Sequence, residues 1–589
     1  MRNHDWKSGN SLIASLEYEP QPLMFGTSGR RGDVVNLTQL EIYINATAEL
    51  EYLQSLPRSE GGIVRGEEFY FAYDLRPSSC RFVPEQGGRG EIAQAVERAI
   101  RDAGMLPVNL GSLPTPALAS HALGQGKGSI MVTGSHIPFE RNGYKTNTAR
   151  GELLKKDEGP INQRVAEVRR KIYEQAFSES LFGRQGRFKC GHMDLSPENS
   201  AGRESYIQRY CGFYRGAPLK GKRLVAYQHS AVGRDLLVEI LEKLGAVAVP
   251  AGRSETFVPI DTENIDREQL AIIETLTREH WLKDGPFDAV VSTDGDSDRP
   301  LILGVEPADP CRVRFYGGDL VGMIAAAHLG ADAVVVPVSC NDAIDRGPLR
   351  DIVEPKTRIG SPYVIAGMDK AVAKGRTAVC GWEANGGFLT GSDFHRGGNP
   401  LKALPTRDAM LPILAVLVEM CAQKKSISGL FDGLPKRFSR AALLKDFPRP
   451  LSEKILARFS PPDVSIKEAA FDVTGLVALD EEGRRLQPAV SSLRALESIR
   501  EHAARFFTPD LGFAGIVRIN YTDGVRIYFE NGDVAHMRPS GNADELRIYA
   551  VADTQERADA IATAGVAEPG GILRRLAESR SQESGVRSQ

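Results

Sequence analysis

The chain has 589 residues, 42% hydrophobic and 25% charged, with a formal net charge of -3. That length exceeds a single hydrophobic core and sets a prior of roughly four domains, and the composition is that of an ordinary globular protein. The near-neutral charge excludes a dedicated nucleic-acid binder, whose affinity rests on a basic surface, and the seven scattered cysteines, with no C-x-x-C pair, point to reduced thiols in a cytoplasmic protein.

No apolar segment follows the amino terminus as a signal peptide requires. The longest apolar run, about 410–418, contains Pro412 and ends at Glu419, short of the ~20 residues a membrane span needs. A protein without membrane or nucleic-acid partners is expected.

A strand–loop–helix–strand unit recurs along the chain. Residues 69–73 read as an apolar strand running into Asp74-Leu75-Arg76-Pro77-Ser78. The helix after it carries Ile92, Val96 and Ile100 on one stripe and stops at Gly104, and a strand follows at 107–110. Residues 129–132 form another apolar run, ahead of Thr133-Gly134-Ser135-His136-Ile137-Pro138. The unit returns at 224–227, with Leu236, Leu237, Ile240, Leu241 and Leu244 striping a helix, a stop at Gly245 and a strand at 246–249. Residues 287–292 read as a buried strand leading into an acidic loop, and a helix at 320–329 with a strand at 333–336 begins a third copy. Such alternation predicts sheets covered by helices.

The carboxyl-terminal part differs. Short strands are expected at 516–520, 525–529 and 534–537, the last two joined by Glu530-Asn531-Gly532-Asp533, whose Asn-Gly is a hairpin signal. This part reads as α+β. Residues 579–589, polar apart from Val586, read as a disordered tail. Breaks near 197–203, 308–312 and 434–440 place the expected domains at 1–202, 203–311, 312–437 and 438–578.

The chemistry is carried by loops. Asp294-Gly295-Asp296-Ser297-Asp298-Arg299 presents carboxylates at alternate positions of a turn, able to converge on a hard divalent cation such as Mg²⁺, which takes oxygen ligands and leaves room for a phosphate oxygen. It is not an EF-hand, because Arg299 and Val305 stand where that loop needs Gly and Glu. The second loop offers the Ser135 hydroxyl beside His136, without the G-x-S-x-G elbow of a serine hydrolase. Both loops follow apolar strands, where α/β sheets place their ligands. A carboxylate-held metal and a serine together suggest a phosphoryl group carried on serine oxygen.

Two further loops are candidates, although each read singly is also an ordinary connection. Arg538-Pro539-Ser540-Gly541-Asn542, with Arg547 beyond it, can hold a phosphate through a guanidinium and neighbouring donors. Gly381-Trp382-Glu383-Ala384-Asn385-Gly386-Gly387 sets a carboxylate near an amide, which suits sugar hydroxyls. Gly216-x-x-x-x-Gly221-Lys222-Arg223 imitates a nucleotide P-loop but has Arg223 where Ser or Thr must reach the metal, and it precedes a strand instead of opening a helix.

With these four loops in order, the chain resembles the α-D-phosphohexomutases, the superfamily of phosphoglucomutases and phosphomannomutases. The resemblance runs from Phe25-Gly26-Thr27-Ser28-Gly29-Arg30 to Leu546-Arg547-Ile548-Tyr549. It implies an α/β architecture of four domains around a central cleft, three with mixed sheets covered by helices and a fourth of α+β type. It also implies interconversion of hexose 6-phosphate and hexose 1-phosphate through a phosphoserine and a hexose 1,6-bisphosphate. Carried over by motif, Ser135 would be the phosphoserine. Asp294, Asp296 and Asp298 would bind Mg²⁺ with an oxygen on Ser135, and Arg299 would lie beside them. Glu383 and Asn385 would grip the sugar, while Arg538, Ser540, Gly541, Asn542 and Arg547 would hold its distal phosphate. His136, Lys145 and Arg30 match positions near the reacting hydroxyl.

The chain departs from the usual family pattern at Ser297 (for Gly), Ile137 (for Asn), Asn385 (for Ser), Gly387 (for His) and Asn542 (for Thr). The run Phe257-Val258-Pro259-Ile260-Asp261-Thr262-Glu263 is most similar to bacterial phosphomannomutases, so mannose phosphates are the expected substrates and glucose phosphates the alternative. A metal-assisted sugar phosphatase, with water as acceptor, and a non-catalytic sugar-phosphate sensor are the competing readings. A monomer or homodimer is expected.

Overall fold

The structure, a computed structural model, describes residues 10–26, 29–263, 265–306, 309–472, 475–540 and 544–585. The chain divides into two compact units, 1–330 with 385–430 and 331–384 with 431–589.

The first unit holds two mixed sheets. In one, Glu68–Tyr73 lies between Leu106–Ser112 and Ser129–Val132, parallel to both. Arg141–Thr148 runs antiparallel beside Ser129–Val132 and pairs on its other edge with Arg30–Asp33. Helices Gln39–Ser55, Ile92–Asp102 and Glu158–Tyr173 cover this sheet through a core that includes Leu40, Ile44, Phe71 and Val96. Each such side chain contributes about 1.5–3 kcal/mol by leaving water. Thr38 caps the first of these helices, its hydroxyl accepting from the Glu41 amide at 3.1 Å.

The second sheet is ordered Val247–Arg253, Arg223–His229, Ala289–Thr293, Pro300–Glu306, Asp309–Tyr316. The predicted helices appear as Ile92–Asp102 and Arg234–Lys243, and Gly104 and Gly245 terminate them with φ of +78° and +95°. The apolar run at 410–418 opens helix Met410–Gln423, where Pro412 sits in the first turn and forfeits no intrahelical N–H bond. No described helix is long and apolar enough to cross a membrane.

In the second unit, Ala333–Val335 pairs in parallel with Val379–Trp382. A seven-stranded antiparallel sheet follows, ordered Phe438–Leu444, Leu546–Ala552, Val534–Pro539, Val525–Phe529, Ile516–Asn520, Glu468–Asp472, Gly475–Leu479. The Asn531-Gly532 hairpin forms as expected, with Tyr528 opposite Val534.

The two compact units are coarser than the expected domains, and residues 312–437 contribute to both. One expectation changes. The stretch from 579, read as a disordered tail, is helical as far as Gly585, in a helix Ile572–Gly585 whose first turns are anchored by the buried Ile572, Leu573 and Leu576. Residues 586–589 lie outside the described residues.

Candidate active site

The serine and acidic loops leave the carboxyl ends of Ser129–Val132 and Ala289–Thr293, and they meet. Ser135 Oγ donates to Asp294 Oδ2 at 3.0 Å, and both residues are fully buried. The other Asp294 oxygen accepts from the Asp298 and Arg299 amides at 3.1 and 3.2 Å, which fixes the turn. Asp296 accepts from Lys145 Nζ and Thr115 Oγ1, each at 2.7 Å. Asp298 accepts from Lys145 at 2.9 Å and from Arg407 Nε and Nη2 at 3.1 and 2.9 Å. Arg299 closes the group, 3.8 Å from Asp294 and 3.6 Å from Asp298.

Ligand oxygens of Asp294, Asp296 and Asp298 lie within 4.8 Å of one another. Asp296 Oδ1 and Asp298 Oδ1 are buried without a hydrogen-bond partner. Leaving a buried carboxylate oxygen unanswered is costly, and a hard cation accepts such oxygens as ligands. The donor set therefore fits a divalent metal.

The carboxylates are not electrostatically equivalent. Burial and the neighbouring Asp296 and Asp298 push Asp294 well above the usual range. Burial pushes Asp296 and Asp298 the same way, but Lys145 for the first and Arg407 for the second overcome it and hold both below that range. His136, with Nδ1 3.4 Å from Ser135 Oγ, is driven well below its ordinary value by burial and then by Arg299 and Arg31, so its ring is neutral.

Both loops carry backbone strain. Ser135 and Ser297 have φ of +54° and +57°, a region that L side chains rarely occupy. This explains why glycine suits position 297. Ser297 is held there by its hydroxyl, which accepts from the Gly233 amide at 2.9 Å and from Thr293 Oγ1 at 2.8 Å.

The structure brings Ser135, His136, Lys145, Asp294, Asp296, Asp298 and Arg299 together. It does not bring Arg30. That guanidinium pairs with buried Glu49 at 2.6 Å and donates to the Leu23 carbonyl at 2.7 Å, on the core side of its strand. Arg31 instead lies in the field of Asp296 and Asp298, and burial lowers it to about 10. The register could have shown this: Arg31 is opposite Gly143, two residues from Lys145, so those side chains share a face of the sheet. Arg407, on strand Leu404–Asp408, belongs to no motif, so no sequence signal marks it.

Asn385 is buried, and its side-chain oxygen accepts from the Gly387 amide at 2.9 Å while its carbonyl accepts from Thr262 Oγ1 at 2.9 Å. Within the second unit, Glu383 is buried and directly follows strand Val379–Trp382. Arg538 and Arg547 stand directly opposite on adjacent strands, and the Ser540 amide donates to the Glu545 carbonyl at 2.9 Å. Gly541 and Asn542 lie outside the described residues.

A serine hydroxyl held against one of three clustered, buried carboxylates that fit a metal, on mixed α/β sheets, defines the class: a phosphotransferase centre. Residues 22–171, 317–438 and 468–567 match, respectively, domain I, domain III and the C-terminal domain of the phosphoglucomutase/phosphomannomutase family. A phosphomannomutase of Sinorhizobium fredii is 36% identical over 546 residues, covering 92% of this chain and 98% of that protein. One of Salmonella muenchen is 36% identical over 539 residues, covering 91% and 93%. A solved phosphoglucomutase/phosphomannomutase family protein from Burkholderia thailandensis shares the fold, with a TM-score of 0.59 and 17% identity over 96% of this chain and 98% of that one. The chain belongs to the phosphoglucomutase/phosphomannomutase family. It is a phosphohexomutase, an isomerase that relocates a phosphoryl group on a sugar phosphate.

Proposed function

We propose that the protein interconverts mannose 6-phosphate and mannose 1-phosphate, with Ser135 as the phosphoryl carrier. The observation that carries this reading is Ser135 Oγ, 3.0 Å from Asp294 within the buried acidic cluster. Phosphorylated Ser135 gives its phosphoryl group to the free hydroxyl of the hexose phosphate. The serine O–P bond breaks as the sugar O–P bond forms, and His136 Nδ1 takes the hydroxyl proton. The resulting hexose 1,6-bisphosphate reverses its orientation and returns its other phosphoryl group to Ser135. Mg²⁺ held by Asp294, Asp296 and Asp298 would neutralise charge on the transferring group. Lys145, Arg299 and Arg407 keep those carboxylates in register and add positive charge where the phosphoryl oxygens must lie.

Glu383 and Asn385 are proposed to bind the sugar, and Arg538, Ser540, Gly541, Asn542 and Arg547 the distal phosphate. Two like charges placed opposite each other, as Arg538 and Arg547 are, favour a bound anion. The division into domains at 1–202, 203–311, 312–437 and 438–578 is supported by family matches falling almost wholly within the first, third and fourth. A cytoplasmic enzyme acting as a monomer or homodimer on small sugar phosphates is in keeping with six free cysteines among the described residues. The substrate is tested by comparing kcat/KM for mannose 1-phosphate, glucose 1-phosphate and glucosamine 1-phosphate, primed with bisphosphate, while monitoring inorganic phosphate. Mannose phosphates should lead and release no phosphate; a preference for another sugar overturns the mannose assignment, and stoichiometric phosphate release identifies a phosphatase.

A further inference from the structure

One fully buried cation is unused by the chemistry above. Arg76 immediately precedes the short helix Pro77–Cys80, just beyond strand Glu68–Tyr73. Its guanidinium reaches three carbonyls of the serine loop and that of Arg141, which opens the next strand: Nη1 donates to Pro138 and Arg141 at 2.8 and 3.0 Å, and Nη2 donates to Ser135 at 3.0 Å and to Ile137. Asp74 answers the same loop with the opposite polarity, accepting from Thr133 Oγ1 at 2.8 Å and the Gly134 amide at 3.2 Å. The pair thus takes both the donors and the acceptors of the turn that carries the nucleophile.

Three details show that the fit is built. A Cβ on Gly134 would lie 2.6 Å from Arg76 Nε, so the loop closes onto the guanidinium only with glycine there. Ser135 holds a left-handed backbone, φ +54°, and its own carbonyl is one of the four acceptors. Such a conformation persists where the surroundings over-determine it. The Phe257 ring covers the guanidinium at 3.7 Å, and it also lies 3.1 Å from where a Cβ on Gly295 would sit. One aromatic ring therefore packs on both the serine-loop brace and the turn of the acidic loop.

We propose that Arg76 is a positioning residue for the nucleophile, holding the Ser135 backbone in the conformation that aims Oγ at Asp294, with Phe257 as the cover that keeps its hydrogen bonds out of water. The inference rests on the reading of Ser135 as phosphoryl carrier. It extends that reading by assigning the precision of transfer to a guanidinium that touches neither sugar nor phosphate. Lysine cannot replace it, because one ammonium has three donors on a point and cannot span four carbonyls in a plane.

The test uses the full-length enzyme as Arg76→Ala, Arg76→Lys and Phe257→Leu, with Ser135→Ala alongside. It reads kcat and KM, the rate at which hexose 1,6-bisphosphate phosphorylates Ser135 by intact mass, the melting temperature, and rescue by methylguanidinium. A misplaced nucleophile should lower kcat of Arg76→Ala and Arg76→Lys by about 100-fold with KM nearly unchanged. The rate of Ser135 phosphorylation should fall in parallel. Methylguanidinium should restore at least about 10-fold of kcat to Arg76→Ala and nothing to Arg76→Lys, whose side chain fills the space. Phe257→Leu, which retains an apolar cover, should fold and lose kcat by about 10-fold. Folded Arg76 variants with wild-type kcat, a kcat loss that methylguanidinium does not relieve, or an unchanged kcat in Phe257→Leu would overturn the proposal. Turnover in Ser135→Ala would instead overturn the carrier reading itself, so the two failures are distinguishable.

Discussion

The buried acidic centre of the first unit and the arginine hairpin of the second settle their charge in opposite ways. At the centre, Asp294, Asp296 and Asp298 are answered within the unit by Lys145, Arg299 and Arg407, through a serine loop and an acidic loop that each keep one residue at positive φ. In the hairpin, Arg538 and Arg547 face each other across adjacent strands. Each has its own counter-ion: Glu545 accepts from Arg547 Nε and Nη2 at 3.1 and 2.8 Å, whereas Asp523 lies 3.6 Å from Arg538, whose Nε is buried without a hydrogen bond. Like charges directly opposite in a sheet repel. The first region gathers its charges on three adjacent carboxylates; the second spreads them over two separate pairs, which leaves the two guanidiniums side by side.

Disturbing the assembled centre should cost the most. Asp296→Asn keeps the shape, removes a ligand charge and halves the carboxylate partnership of Lys145. Activity should fall by at least about 100-fold with little change in melting temperature. Chelation of the wild type should do the same, reversibly on adding Mg²⁺. Full activity after exhaustive chelation would remove the metal from the account.

The neighbouring arginines 30 and 31 separate stability from activity. Arg30→Ala strands Glu49, whose carboxylate also accepts from Tyr144 at 3.2 Å and Thr146 at 2.5 Å. Breaking a buried pair in this way costs about 3–5 kcal/mol, which thermal or denaturant unfolding would register. Arg31→Ala should melt closer to wild type and lose turnover instead. The reverse pattern would mean that the two residues had exchanged roles.

In the hairpin, Arg538→Ala should raise KM by roughly 10-fold or more, the worth of a hydrogen bond to a charged group. The phosphoryl group on Ser135 and the metal affinity should be unaffected, as measured by intact mass and metal titration. An unaltered KM would withdraw the phosphate role of the loop.

The smallest effect is expected at position 297. Ser297→Gly relieves left-handed strain of about 1–2 kcal/mol but loses the hydroxyl contacts to Gly233 and Thr293, each worth about 0.5–1.5 kcal/mol. Stability and kcat should both stay close to wild type. A large loss of activity would show that the hydroxyl acts in the chemistry.

The centre was legible because its residues are local in sequence: alternating aspartates in a turn after a buried strand, and a serine loop after another. The residues that brace it were not. Arg76 and Arg407 reach the centre by long-range packing, from a strand end at 74–78 and from strand Leu404–Asp408, and no spacing marks them. Arg30 and Arg31 illustrate a different obstacle. Consecutive strand residues point to opposite faces, so the motif located the strand but not the side chain that turns to the site. The helix through 572–585 shows the limit of composition, since a few buried apolar residues at its start outweigh the polar stretch that follows.

The most direct measurement is intact mass with phosphopeptide mapping on wild type and Ser135→Ala, paired with mutase turnover. A single phosphoryl group is expected on Ser135, discharged by mannose 6-phosphate and restored by the bisphosphate, with both phosphate and turnover absent in Ser135→Ala. Turnover persisting in that variant, or a transferable phosphoryl group on another residue, would contradict this role of Ser135.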